Sequence, residues 1–104
     1  MGDEWTFLSD HAHVLIALAR EPRSGAKAVA KSTGIDDRVV AGILRDLEAG
    51  GYIRREREGS TEFTYIDRDK PLRHNVERHH PVGRLLDAVE SPSDTLRARL
   101  ARKD

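Results

Sequence analysis

Basic side chains are the groups in this sequence whose spacing suggests a chemical task. Arg38 and Arg45 lie two turns apart in a run of helical periodicity, Lys27 belongs to the run before it, and Arg54, Arg55 and Arg57 crowd a short segment beyond. A guanidinium pairs bidentately with a guanine edge, worth about 1–3 kcal/mol of discrimination, while a phosphate accepts any cation without conveying sequence. Position along the element separates the two tasks. Arg38, near the amino end of its helix, is the candidate reader of base edges, and Arg45, Lys27, Arg54, Arg55 and Arg57 are candidate phosphate contacts. Glu56, Glu58 and Glu62 stand among the last three arginines, so pairing across a hairpin competes there with any external anion.

Histidines form the second set with chemical capacity: His11, His13, His74, His79 and His80. His11 shares a helical face with Phe7, Val14 and Leu18, which predicts a partly buried structural ring, and His13 points elsewhere. The stretch from His74 to His80 offers nitrogen and carboxylate donors, yet it lacks the i, i+4 histidine pair of a helical zinc site. Solvated surface histidines are expected there. Cysteine is absent, which removes disulfides, thiolate metal sites and cysteine nucleophiles together. The sequence also shows no glycine-rich phosphate loop, nucleophile elbow or paired carboxylates, so the expectation is no enzyme, no metal and no cofactor.

A chain of 104 residues suits one domain with a single core. Its 18 basic and 18 acidic residues cancel, so a nucleic-acid partner has to be argued from local placement rather than from net charge. Met1-Gly2-Asp3-Glu4 is acidic where a signal peptide is basic, and no apolar run reaches membrane-spanning length. A cytoplasmic protein without membrane partner is the expectation.

The elements that must position these residues follow from apolar periodicity. After an apolar lead-in of Trp5, Phe7 and Leu8, Ser9 or Asp10 is placed to cap a helix carrying Val14, Leu15, Leu18 and Ala19, which Pro22 ends. Ser24 is the expected cap of a short second helix whose Ala26, Val29 and Ala30 face inward. Gly34-Ile35 makes a turn, and a third helix spans 36–49, with Asp36 and Asp37 where the helix dipole favours negative charge. At about 100° per residue, Val39, Val40, Ile43, Leu44 and Leu47 fall on one side of it. Arg38, Ala41, Gly42, Arg45 and Ala49 fall opposite, with Asp37, Asp46 and Glu48 at the margins. Gly42 costs a helix interior about 1 kcal/mol relative to alanine, which calls for a reason such as close approach of a phosphate backbone or another helix. The pattern closes at Gly50-Gly51, and 53–66 reads as two strands around Glu58-Gly59-Ser60-Thr61. Pro71 and Pro81 bracket a polar segment before a fourth helix with Val82, Leu85, Leu86 and Val89 on one face, which ends before Pro92. Residues 1–90 form the expected domain, and 91–104 a basic tail, mobile or a short helical piece, whose Arg97 to Lys103 add non-specific attraction for DNA.

Helix, turn, longer helix and charged hairpin in that order make a winged helix-turn-helix plan: mainly α with a small β-hairpin (α+β), a three-helix core plus wing and a C-terminal helix. The run Val29-Ala30-Lys31-Ser32-Thr33-Gly34-Ile35, then Val39-Val40, Ile43-Leu44 and Asp46-Leu47-Glu48-Ala49-Gly50-Gly51-Tyr52-Ile53 resembles the winged-helix transcriptional regulators of prokaryotes, in the broad MarR-like and ArsR-like group. Trp5-Thr6-Phe7-Leu8, His11-Ala12-His13-Val14-Leu15 and Pro71-Leu72-Arg73-His74 extend the likeness to small helix-turn-helix members. The resemblance implies a homodimer on double-stranded operator DNA, the third helix in the major groove, and Arg38, Gly42 and Arg45 as groove-facing positions. Two departures stand out. Asp36, Asp37, Ala41 and Gly42 occupy places where such proteins often carry polar readers, and the long dimerisation helices of typical MarR-type regulators are missing. Trp5, Phe7 and Leu8 packed against Val82, Leu85, Leu86 and Val89 would either build a dimer or close the core. A winged helix that binds protein instead of DNA is the rival, favoured by the neutral charge and the acidic hairpin tip.

Overall fold

The computed structural model describes residues 5–90. It is mainly helical with one antiparallel hairpin, in the order α1 (Asp10–Arg20), α2 (Ala26–Thr33), α3 (Asp37–Ala49), β1 (Ile53–Glu58), β2 (Thr61–Ile66) and α4 (Val82–Val89). The chain divides into two compact units, Met1–Asp67 and Arg68–Asp104. The expected tail, 91–104, lies outside the described residues.

Local sequence explains each helix boundary in the first unit. Ser9 caps α1, its Oγ accepting from the Ala12 amide at 3.2 Å, and α1 ends just before Pro22, with Glu21 as its C-cap. The second cap differs from expectation. Gly25, not Ser24, precedes α2, and no side chain caps it, because the Ser24 amide is drawn into a turn with the Glu21 carbonyl at 3.0 Å. The turn after α2 is built by two residues. Gly34 adopts φ 78° and returns its amide to the Ala30 carbonyl, a conformation glycine reaches without penalty. Thr33 donates its hydroxyl to the Val29 carbonyl at 2.7 Å and accepts from the Ile35 amide at 3.2 Å. Asp36 then caps α3, its Oδ1 accepting from the Arg38 amide at 2.8 Å.

Three faces meet in this unit's core: Val14, Leu15 and Leu18 of α1, Val29 and Ala30 of α2, and Val40, Ile43, Leu44 and Leu47 of α3, closed by Tyr52 and Ile53. Full burial of a side chain such as Leu18 or Val29 contributes about 1.5–3 kcal/mol. One apolar prediction fails, and for a second only the core-closing alternative does. Val39 is 46% exposed, because it lies at the edge of the α3 apolar arc, which Val40, Ile43, Leu44 and Leu47 fill without it. Trp5 and Phe7, 67% and 92% exposed, stay out of the core and instead meet edge-on at 5.0 Å between ring centroids.

The hairpin pairs Ile53 with Ile66 through Glu58 with Thr61, leaving Gly59-Ser60 as a two-residue loop. Gly59 has φ 63° and Ser60 a negative φ, the glycine-first order of a type II′ turn that matches strand twist. Isolated two-stranded hairpins are marginal in water. Here Tyr52 and Ile53 root the hairpin beside α3, and the Thr64 amide donates to the Pro22 carbonyl at 2.9 Å.

In the second unit the two bracketing prolines pair. Pro71 and Pro81 form an antiparallel bridge, the Leu72 amide reaches the His80 carbonyl at 3.0 Å, and residues 73–80 form a run of turns between them. The first turn of α4 lies against the segment before that bridge: the Gly83 amide donates to the Arg68 carbonyl at 2.8 Å. A Cβ on Gly83 would fall 2.8 Å from that same carbonyl oxygen, so only glycine permits the approach. Arg68 also pairs with Asp87 at 2.7 Å and Glu90 at 3.6 Å. Val82 and Leu86 are buried, whereas Val89, expected on the same face, is exposed in the last turn of α4.

Candidate nucleic-acid interface

Arg38, Gly42 and Arg45 emerge together on one outward face of α3, because the core claims the opposite arc of the same helix. A Cβ on Gly42 would meet only the Arg45 Nη2, at 3.9 Å. No helix among the described residues therefore explains the glycine, and the guanidinium of Arg45 is the group nearest to where its side chain would stand. Lys27 and Lys31, one turn apart on α2, line a cleft of about 460 Å³ with Ile35, Asp36 and Asp37 at the turn into α3. Lys27, Lys31, Arg38 and Arg45 make no ion pair with another described residue.

The acids of α3 are in part occupied. Asp36 is engaged as the helix cap. Asp46 accepts from His11 Nε2 at 2.8 Å, a contact between α1 and α3. His11 is thus half exposed, since a first-turn residue of α1 can extend its ring past the core to the flank of α3. Asp37 and Glu48 remain exposed.

The hairpin treats its arginines differently. Strand alternation puts Ile53, Arg55, Thr64 and Ile66 on the packed face, where Arg55 is only 17% exposed and donates from Nη2 to Glu62 at 2.7 Å. Arg55 Nε and the Thr64 hydroxyl, on cross-strand partners, are buried there without a hydrogen-bond partner among the described residues. Arg54, on the other face, donates from Nε to Glu56 at 2.8 Å and stacks over the Tyr65 ring at 4.5 Å. Arg57 is 67% exposed, with Glu62 at 4.0 Å, and is the least constrained of the three. The structure therefore brings Arg38, Gly42 and Arg45 together, sets Lys27 on the neighbouring helix, and turns Arg55 away from the surface.

Three features escaped the sequence reading. Lys31 had a signal, the i, i+4 spacing from Lys27. Phe63 and Tyr65 had one too, since period two puts both on the face of Arg54; their rings lie 4.8 Å apart, with Arg23 over Phe63 at 5.8 Å. The His11–Asp46 contact joins distant segments and has no local signal. Among the described residues no group of three or more histidines and carboxylates is placed to hold a metal ion, and no helix is long and apolar enough to cross a membrane. No protein-family model matches the chain, and no curated protein matches it in sequence.

Proposed function

We propose that this chain is a cytoplasmic, homodimeric winged helix-turn-helix protein that binds double-stranded DNA as a transcriptional regulator, with α3 in the major groove and the hairpin as wing. The observation that carries the reading is the set of cations on α2 and α3 that pair with no described residue, together with a glycine on α3 whose added Cβ would touch only the Arg45 guanidinium. Arg38, at the amino end of α3, reads a base edge; Arg45, Lys27 and Lys31 hold phosphates; Gly42 lets the duplex approach the helix backbone. Asp36 and Asp46 oppose this less than a charge count suggests, because one caps the helix and the other is held by His11. Arg57 is the wing residue best able to reach a phosphate. Arg54 contributes only by leaving Glu56, and Arg55 positions the hairpin. No catalytic role is proposed.

A mobility-shift titration with the DNA upstream of its own coding sequence tests the proposal. Binding should weaken steeply as salt rises, and Arg45→Ala should lower the slope of log K against log salt by about one. Unchanged binding in the Arg38→Ala, Arg45→Ala double variant removes α3 as the reader. A protein-interaction module is the second reading, favoured by the glutamates that already occupy the hairpin arginines. It predicts no salt-dependent affinity for any duplex.

A further inference from the structure

Val39 and Gly42 each break a local rule of helix construction, and nothing among the described residues compensates for either. A β-branched valine is a poorer helix former than alanine by several tenths of a kcal/mol, a cost that burial normally offsets, yet Val39 is 46% exposed. Gly42, in the middle of the helix, has room for a Cβ, which would touch only the Arg45 Nη2 at 3.9 Å among the described residues. Uncompensated local conflicts of this kind cluster at functional surfaces. The two are neighbours. At about 100° per residue Val39 falls about 60° from Gly42 on the wheel, with Arg38 flanking the glycine on its other side. The wheel thus sets a shallow notch at Gly42 between an apolar wall, Val39, and a cationic wall, Arg38, with the Arg45 guanidinium within van der Waals reach of its floor.

We propose that this notch reads thymine, with the Val39 methyls against the 5-methyl group of the base, beside the base edge met by Arg38. The inference rests on the DNA-binding reading above. Charge complementarity argues for the occupant, since Arg38, Arg45, Lys27 and Lys31 carry no ion pair with another described residue, while Asp36 is engaged as the helix cap and Asp46 is held by His11. The major-groove edge of an A·T pair presents the one apolar group available to such a wall, next to hydrogen-bonding atoms. A valine cannot donate or accept a hydrogen bond, so shape and methyl contact are its whole means of discrimination.

The test uses the full chain and a duplex selected from a random pool, in which each thymine is replaced in turn by deoxyuridine, which lacks only the methyl. At one position deoxyuridine should weaken binding about four-fold, the equivalent of about 0.8 kcal/mol for one buried methyl-sized group. Val39→Ala should bind the two duplexes alike while melting at an unchanged or slightly higher temperature. Equal binding of the unaltered chain to every deoxyuridine duplex overturns the Val39 assignment and leaves DNA binding standing, as does a Val39→Ala variant that keeps the four-fold penalty. Selection of no duplex, or capture of the α3 face by a protein partner alone, overturns both proposals.

Discussion

The basic residues of α2 and α3 and those of the hairpin have the same chemistry and different neighbours. On the helices, Lys27, Lys31, Arg38 and Arg45 have no carboxylate of a described residue within ion-pair distance. On the hairpin, Arg54 and Arg55 each hold a glutamate at 2.8 and 2.7 Å. The difference follows from geometry. A helix separates its faces by angle, so acids at Asp36 and Asp46 can be turned to a cap or to α1. A two-stranded hairpin has two faces only, and the register puts Arg54 with Glu56 on one and Arg55 with Glu62 on the other, so opposite charges meet on both. An external phosphate must displace a glutamate at Arg54 or Arg55 but only water at Arg38 or Arg45. Counting arginines therefore overstates the hairpin and understates α3.

Removing charge from each region in turn should break this contrast if it is wrong. The Arg38→Ala, Arg45→Ala pair is expected to lower duplex affinity by at least 30-fold at fixed salt, about 2 kcal/mol or more, whereas Arg54→Ala with Arg57→Ala should cost under five-fold, both read by fluorescence anisotropy. Equal losses would sink the distinction. Next in size, Arg55→Ala should act on folding, lowering unfolding free energy by about 1–2 kcal/mol in urea because Glu62 loses its partner on the packed face. A normal melt with weakened DNA binding would return Arg55 to the interface. Gly42→Ala should pull stability and affinity apart: the new Cβ meets only the Arg45 guanidinium, at an unstrained 3.9 Å, so thermal stability rises by up to about 1 kcal/mol while DNA binding falls. A rise in both would leave the glycine without a role in approach. The smallest effect is expected from Glu56→Gln, which releases Arg54 and should raise affinity two- to three-fold, more visibly at low salt.

Much of the helical part could be read from local pattern. Asp36 at the start of α3 and the buried quartet Val40, Ile43, Leu44 and Leu47 follow from capping preference and a 3.6-residue period, and the hairpin from two alternating runs around Gly59. Val39 was misplaced because a wheel gives an angle and not the width of the arc that neighbouring helices cover. Arg55 was misjudged by composition although period two, counted from buried Ile53, puts it inward. Ser24 lost its cap to a turn one residue away, a competition between equally plausible local hydrogen bonds. The His11–Asp46 contact was illegible because it exists only once α1 and α3 have packed. Within the candidate site, Arg38, Gly42 and Arg45 were visible as one stripe, while the pairing that separates working cations from quenched ones depends on side-chain positions that no spacing rule supplies.

The hydrogen bond from Thr64 to the Pro22 carbonyl has a consequence in time. Its partners are far apart in sequence, and the carbonyl is in place only after α1 has ended and α2 has packed beside it. Local helix formation takes microseconds or less, whereas such non-local closure waits on the entropy of the intervening chain. The hairpin should thus be the last element to lock during folding and the first to open afterwards, with hydrogen exchange at the Thr64 amide faster than at the amides of α1 and α3 that face the core.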